Sequence, residues 1–151
     1  MSTSPSGAIR PPLLLAIWAT SSVGLGRLWP LVSVPESMAA LGRPAILAGV
    51  ALVCWAMIEM HRHRTSPDHG RATASLVTSG PFRFSRNPIY LGLALITAGV
   101  SLHYDNLWSL LLVIPLLVAL QKLTIAPEER YLETEFGGQY RSYKDSVRQW
   151  L

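Results

Sequence analysis

The sequence has one cysteine, few charged residues and no uncharged run long enough to cross a membrane unaided. One cysteine excludes an intrachain disulfide framework, and the apolar run around Cys54 predicts a buried, inert thiol. Charged residues make up 15% of the 151, which is low for a soluble domain. Each uncharged run falls short of the roughly 20 residues that span a hydrocarbon core, so insertion would depend on flanking residues.

Apolar residues, by contrast, make up half of the chain and are bunched together. Trp, Tyr and His at the ends of the runs can extend them into the membrane interface. We therefore predict an all-α integral membrane protein with about four transmembrane helices and a C-terminal cytoplasmic amphipathic helical segment. The uncharged runs that would form these helices are residues 11–26, 44–58, 87–102 and 106–121.

A soluble four-helix bundle is the alternative, and its helices would carry polar residues at helical spacing on an outer face. The third and fourth runs have no such face, which favours membrane helices. From residue 88 to 102 and from 107 to 120, the only polar side chains are Tyr90, Thr97, Ser101 and Ser109.

The distribution of charge predicts the topology. The segment between the second and third runs carries five arginines, whereas the segment between the third and fourth carries only His103 and Asp105. Basic short loops stay in the cytoplasm, so four spans would place both termini there, in a membrane of the bacterial inner type. The first run could also be a signal peptide, but it lacks a convincing cleavage site and we favour an uncleaved span.

The C-terminal tail predicts two short helices. Thr124 or Ala126 can cap the first, with Pro127 at its first position and acidic residues in the first turn, where the helix dipole favours them. Gly137 and Gly138 mark a break before the second helix. An apolar stripe suits a helix on the membrane surface or against the bundle. Its members are Leu132, Phe136, Tyr140, Tyr143, Val147 and Trp150 or Leu151.

The third and fourth runs form a helical hairpin with a short turn at residues 103–106. The entry to the third helix and the exit from the fourth must therefore be neighbours on the cytoplasmic side. Capping and salt bridges alone could explain the charged residues at that place, and a bound ligand is the alternative. The residues predicted to meet are Arg83, Arg86, Asn87 and Tyr90 on one side, and Lys122, Glu128 and Glu129 on the other.

Two other groups of titratable residues carry less chemistry. His61, His63 and His69 lie close in sequence, but arginines are interleaved with them and oppose a cation, so a solvated basic loop is favoured over a metal site. Glu59 stands at the end of the second span, which makes it a poor candidate for the proton-coupling acid of a transporter.

Two blocks in this order carry a resemblance to a known family. LVTSGPFRFSRNPIYLG, residues 76–92, is followed after two apolar runs by EERYLETEFGGQYRSYKDSVRQWL, residues 128–151. Together they resemble the C-terminal half of the isoprenylcysteine carboxyl methyltransferases, and the membrane phospholipid methyltransferases share much of the pattern. The resemblance implies one membrane domain over residues 1–151, with N-terminal spans at about 11–60 and a cofactor-binding half at about 76–151.

The resemblance further implies a methyltransferase that uses S-adenosylmethionine. By position, Leu76 and Val77 would supply backbone and apolar contacts to the cofactor, and Gly80 and Pro81 the tight turn. Asn87, Pro88 and Tyr90 would lie at the cofactor, and Glu128 and Glu129 would bind its polar groups, since a cationic cofactor calls for acceptors. Many members have His at the position of Asn87, and the eukaryotic ones have Arg where this chain has Thr124.

The implied reaction is methyl transfer to a lipophilic acceptor at the cytoplasmic membrane face. Arg86 or Arg83 would orient the acceptor or the cofactor carboxylate, and Tyr90 or a glutamate would be the base if the acceptor were an amine. We expect membrane lipid and a lipophilic or lipid-linked substrate as partners, and neither nucleic acid nor metal. The alternatives are a non-enzymatic small membrane protein, as a transporter subunit or scaffold, and a methyltransferase for a lipid amine or small thiol.

Overall fold

The computed structural model of the protein describes residues 10–31, 33–65 and 75–150. These residues contain helices and no strand. A 3₁₀ turn covers Gly80–Arg83, and a π-helical segment covers Gln121–Ile125. The α-helices are α1 (Pro11–Leu28), α2 (Glu36–Ala39), α3 (Gly42–Arg62), α4 (Pro88–His103), α5 (Leu107–Leu120), α6 (Ala126–Phe136) and α7 (Gly138–Ser146).

Two stretches of helix among the described residues are long and apolar enough to cross a membrane. One is Glu36–Arg62, with a mean hydropathy of 1.8, and the other is Leu107–Phe136, with a mean hydropathy of 2.1. The helix Pro88–His103 is apolar but has only 16 residues. The all-helical class is therefore confirmed, and two of the helical stretches are candidate spans, whereas four transmembrane helices stay a prediction.

The outward faces of α3 and α5 are apolar. Leu47 on α3 is 70% exposed and Ile114 on α5 is 67% exposed. Large apolar side chains exposed in a row mark contact with lipid or with another protein. Cys54 lies among them, and the prediction that its thiol is buried was wrong, because α3 packs on α4 through its other side.

Glycines bring α3 and α4 into backbone contact. The two helices run antiparallel, and Gly42 lies opposite Gly99 while Gly49 lies opposite Gly92. A Cβ atom added to Gly49 would lie 2.6 Å from the carbonyl oxygen of Gly92, and one added to Gly99 would lie 2.7 Å from that of Gly42. Glycine is spaced by seven residues on both helices, so each pair recurs after two turns. This glycine seam fixes how α3 faces α4.

The predicted hairpin is confirmed, since α4 and α5 are joined by a turn that ends at Asn106. The Asn106 side chain accepts a hydrogen bond of 3.0 Å from the Ser109 N–H and so caps α5. α1 lies along α5, where the Trp18 indole donates to the Ser109 carbonyl at 3.0 Å. A core of Leu14, Tyr90, Leu116, Leu120 and Ile125 joins these helices.

The prediction of a separately capped tail helix was wrong. No cap occurs at Thr124 or Ala126, and the helix runs without a break from Leu107 to Phe136 through the π-helical segment. Pro127 cannot donate to residue 123, and its ring would crowd that carbonyl in an α-helix. The wider π turn just before it accommodates the proline without ending the helix.

The break between the two tail helices is confirmed. α6 ends at Phe136, and Gly137 adopts a φ of +52° before α7 begins at Gly138. A side chain at that φ would be strained, which is why glycine serves there. The chain bends at Gly137, and α7 then packs against the loop that precedes α4.

Candidate functional site

The loop before α4, residues 75–87, is shaped by a glycine and a buried proline. Gly80 has a φ of +57°, which favours glycine, and it starts the 3₁₀ turn in which Pro81 is buried. Val77 ahead of the turn is also buried, at 7% exposure. The loop then reaches Asn87, which precedes Pro88 at the first position of α4.

Arg86 joins this loop to both tail helices. Its Nε and Nη2 atoms lie 3.2 and 3.1 Å from Oε1 of Glu129, and its Nη1 donates to the carbonyl oxygens of Lys144 and Val147 at 2.8 and 3.2 Å. The side chains of Arg86 and Glu129 are only 10% and 15% exposed. The guanidinium is therefore largely occupied by the protein itself, at the carboxyl end of α7 where a cation is favoured.

Glu128 and Tyr90 form the second pair across the hairpin. The Tyr90 hydroxyl donates to Oε2 of Glu128 at 3.0 Å. Tyr90 is 6% exposed and belongs to the apolar core, so its ring is fixed while its hydroxyl reaches the acid. A hydrogen bond to an ionised carboxylate is about twice as strong as a neutral one. The first turn of α6 thus carries two carboxylates, each held by a residue of the loop or of α4.

The chain after α7 closes over the loop. We call residues 147–150 the C-terminal strap. The Gln149 carbonyl accepts from Ser85 Oγ at 3.1 Å and from Asn87 Nδ2 at 3.2 Å, and the Arg148 carbonyl accepts from the Arg86 N–H at 3.0 Å. The strap therefore orients the Asn87 amide by a backbone contact.

Tyr140 and Tyr143 of α7 also pack against the loop. Tyr143 donates to the Phe82 carbonyl at 2.7 Å, and Tyr140 is 1% exposed. Burial, with the nearby Glu129 carboxylate adding to it, raises the pKa of the Tyr140 hydroxyl well above its usual value. Tyr140 therefore stays protonated and acts as a donor towards Glu129.

Two adjoining cavities lie between the loop, α4 and α6. The first, which we call the polar cavity, has a volume of about 80 Å³. The second, the apolar cavity, has a volume of about 170 Å³ and is also lined by Pro11, Pro88, Ile89, Tyr90 and Leu93. Residues that line both are Met60, Phe82, Arg86, Asn87 and Glu128. The polar cavity is also lined by Thr65, Ser75, Leu76, Val77, Glu129, Leu132, Tyr140 and Tyr143.

An open polar groove continues from the polar cavity towards the surface. It shares Leu76 and Tyr143 with that cavity and has a volume of about 650 Å³. Its other lining residues are small or uncharged, namely Thr78, Gly138, Gln139, Ser142 and Ser146. A polar molecule larger than the polar cavity could therefore extend into the groove.

The structure brings most of the predicted site residues together. Those that line one or both cavities are Leu76, Val77, Arg86, Asn87, Pro88, Tyr90, Glu128 and Glu129. Gly80 and Pro81 line neither and shape the turn instead. Arg83 and Lys122 are exposed and line neither cavity.

Several lining residues were not predicted from the sequence. Met60 and Phe82 come from the end of α3 and from the 3₁₀ turn, and no pattern marked either. Tyr140 and Tyr143 were predicted in an apolar stripe that faces the membrane surface or the bundle. In the structure their side chains face the loop. The signal available in the sequence was that these two members of the stripe are tyrosines and not aliphatic residues.

Histidines of the basic loop do not form a metal site in the part of the chain that is described. His61 and His63 lie at the end of α3, and His69 lies outside the described residues. No group of three or more His, Cys, Asp or Glu side chains there could hold a metal ion.

Comparison with known proteins identifies a family and a related protein. A model of the phospholipid methyltransferase family matches residues 37–139, which include α3, the loop, the α4–α5 hairpin and α6. α1 and the C-terminal strap lie outside the matched residues. An uncharacterized protein of Haemophilus influenzae is 43% identical over 63 residues, which are 42% of this chain and the whole of that protein.

Proposed function

The chain belongs to the phospholipid methyltransferase family, and from that membership we propose that it transfers a methyl group from S-adenosylmethionine to a lipophilic acceptor. Members of the family are membrane methyltransferases that in general use this cofactor. The proposed reaction is methyl transfer of the kind that isoprenylcysteine carboxyl methyltransferases carry out. The cavities of this chain would determine which acceptor it takes.

The observation that carries the proposal is that two cavities of unlike character share one wall. The polar cavity holds two carboxylates and two tyrosine hydroxyls, and the apolar cavity adds mostly hydrocarbon from Pro11, Ile89 and Leu93. A polar methyl donor and a lipophilic acceptor could each occupy one cavity and meet at the residues that line both. Positioning of this kind supplies much of the rate of a two-substrate reaction.

The residues of the polar cavity fit the cofactor. When bound, S-adenosylmethionine supplies a methyl group on a positively charged sulfur. Glu128 and Glu129 offer acceptors for its ammonium and hydroxyl groups, while Leu76 and Val77 offer an apolar surface for its base. Asn87 keeps a hydrogen-bonding amide there without a titrating group, so its role is contact and not proton transfer.

For Arg86 the contacts support a role that differs from the one predicted from the sequence. Four of its contacts go to Glu129, Lys144 and Val147, so it holds the carboxylate and α7 in place. We propose that Arg86 positions Glu129 for the cofactor. Orientation of an acceptor by Arg83 would need a change of conformation, because Arg83 lines neither cavity.

The charges of the wall favour an amine acceptor over a carboxylate. The apolar cavity, where the acceptor would lie, is lined by the Glu128 carboxylate and by Arg86, whose guanidinium is already held by Glu129. An anionic acceptor would be repelled by this wall, and a cationic lipid amine would be attracted. A small thiol would leave the apolar cavity unused.

An amine acceptor must lose a proton before it attacks the methyl group. The Tyr90 hydroxyl donates a hydrogen bond to Glu128 and so orients it, and the Glu128 carboxylate accepts the proton that the amine loses. The mostly apolar lining of the cavity would strengthen the hydrogen bond between Tyr90 and Glu128. A carboxylate acceptor would need no base, which separates the two mechanisms.

The test is a screen of acceptors with radiolabelled S-adenosylmethionine and the purified protein in lipid nanodiscs. Lipids with a primary amine, a prenylated carboxylate and a soluble thiol are compared, and we expect label in the amine lipid. Cofactor binding is measured in parallel by calorimetry with S-adenosylhomocysteine. Glu128→Gln should weaken binding and transfer, whereas Glu135→Gln, an exposed acid on the same helix, should change neither. Absence of cofactor binding by the wild-type protein would refute the proposal in favour of a non-enzymatic membrane protein.

A further inference from the structure

Glu59 is a buried acid that the proposed reaction does not use. It lies in the last turn of α3 and is 8% exposed, with 10% of its side chain accessible. A carboxylate in such a place is retained only when partners hold it. Its partners therefore indicate what it does.

The carboxylate of Glu59 holds the turn that begins the loop. Ser79 Oγ donates to Oε1 of Glu59 at 2.5 Å. Gly80, the next residue, packs so closely on the same side chain that an added Cβ would lie 3.0 Å from Cγ of Glu59. Ser79 and Gly80 are thus fixed to α3 by one hydrogen bond and one steric contact.

Two basic side chains from the end of α3 face the same carboxylate. Nη1 of Arg62 lies 3.5 Å from Oε2, although the Arg62 side chain is 70% exposed. Nδ1 of His63 lies 3.9 Å from Oε1, and Nε2 of the same ring lies 3.5 Å from Ser79 Oγ. The exposed arginine adds little, since surface ion pairs contribute little, so the loop hydroxyl is the main partner.

The loop is tied to the end of α3 a second time. Thr65 Oγ1 donates to the Ser75 carbonyl at 3.1 Å, and Ser75 Oγ donates to the His63 carbonyl at 3.0 Å. Between these two ties lie Leu76 and Val77, which line the polar cavity. This stretch of the cavity wall therefore has both of its ends anchored on α3.

We propose that Glu59 is a positioning residue for cofactor binding. It holds residues 75–82 in the position in which Leu76, Val77 and Phe82 line the polar cavity. Glu59 itself does not line that cavity. The inference rests on the proposed function for the identity of the ligand. The holding of the loop by Glu59 is independent of that identity.

The experiment compares Glu59→Ala, Glu59→Gln and Ser79→Ala by calorimetry with S-adenosylhomocysteine, together with the double variant Glu59→Ala/Ser79→Ala. We expect Glu59→Ala to raise the Kd at least about tenfold, because a hydrogen bond to a charged group is lost. Glu59→Gln should stay within a few-fold of wild type, since its amide oxygen still accepts from Ser79. The Kd of the double variant should be no higher than that of Glu59→Ala, because the two single changes remove the same interaction.

Arg62→Ala is the matched control, and it should leave the Kd unchanged. A merely structural role for Glu59 would lower the unfolding midpoint of Glu59→Ala while its Kd stayed at the wild-type value, and that result would overturn the inference. Hydrogen exchange at residues 75–82 gives a readout without ligand, and faster exchange in Glu59→Ala but not in Arg62→Ala is expected. If the wild type bound no cofactor, the proposed function would fail, and unchanged exchange would overturn the positioning role separately.

Discussion

Replacing Gly49 by alanine should weaken the fold by forcing α3 away from α4. The new methyl carbon would lie 2.6 Å from the Gly92 carbonyl oxygen and 2.8 Å from Cγ1 of Ile96, whereas ordinary contact begins at 3.4 Å. The helices must therefore separate by several tenths of an ångström, and the backbone oxygen cannot rotate away as a side chain could. Overpacking of this kind costs about 1–3 kcal/mol. The better helix propensity of alanine offsets at most about 1 kcal/mol.

Because the clash is with a backbone oxygen, the upper part of that range applies, about 2–3 kcal/mol, and the expected net loss is about 1–2 kcal/mol in the free energy of unfolding. Gly24→Ala is the matched control, because nothing lies within 4 Å of a Cβ atom at that position of α1. It should leave stability unchanged or raise it by up to about 1 kcal/mol. The assay is thermal unfolding in one detergent, followed by tryptophan fluorescence. Equal midpoints for the two variants, or a Gly49→Ala midpoint at the wild-type value, would refute the close packing of the glycine seam.

Three further predictions concern the site. Arg86→Met leaves the Glu129 carboxylate, 15% exposed, without its cation, so chemical denaturation should show a loss of about 3–5 kcal/mol, and a smaller loss when Glu129→Gln is added would identify the charge as the cause. Tyr90→Phe keeps the buried ring and removes only the hydroxyl that orients the acid, so label transfer should slow about tenfold, and an unchanged rate would contradict this role. Pro11→Phe narrows the apolar cavity and should raise the KM for the lipid acceptor but not for the cofactor, while Leu13→Phe, 55% exposed on the same helix, should change neither.

The sequence predicted what depends on neighbours along the chain or on a short connection. Residues 103–106 are too few to let α4 and α5 lie apart, so the acids after α5 had to meet the residues before α4. Gly137 ended α6 because its positive φ favours glycine. That geometry predicted that Arg86 and Tyr90 would meet the acids, whereas the choice of Glu129 by Arg86 and of Glu128 by Tyr90 is seen only in the structure.

What escaped prediction depends on contacts between distant segments. Gln149 contributes only its backbone carbonyl to Ser85 and Asn87, and every residue type has that group, so no pattern could reveal it. Glu59 looked like the polar end of a span, because Ser79 is 20 residues away and the intervening segment has no periodicity. Pro127 suits the first position of a new helix as well as a position just after a π turn, so the local sequence did not separate the two.

The unbroken helix from Leu107 to Phe136 would link the thickness of the surrounding membrane to the proposed reaction. Glu128 follows Leu107 by 21 positions, which at 1.5 Å per residue is about 30 Å along the axis. A hydrocarbon core is also about 30 Å thick, so a helix that starts at one boundary brings Glu128 to the other. No flexible linker lies between them to absorb a mismatch. Bilayer thickness would then set the height of the acid relative to the lipid headgroups, and acyl-chain length would become a variable of the reaction.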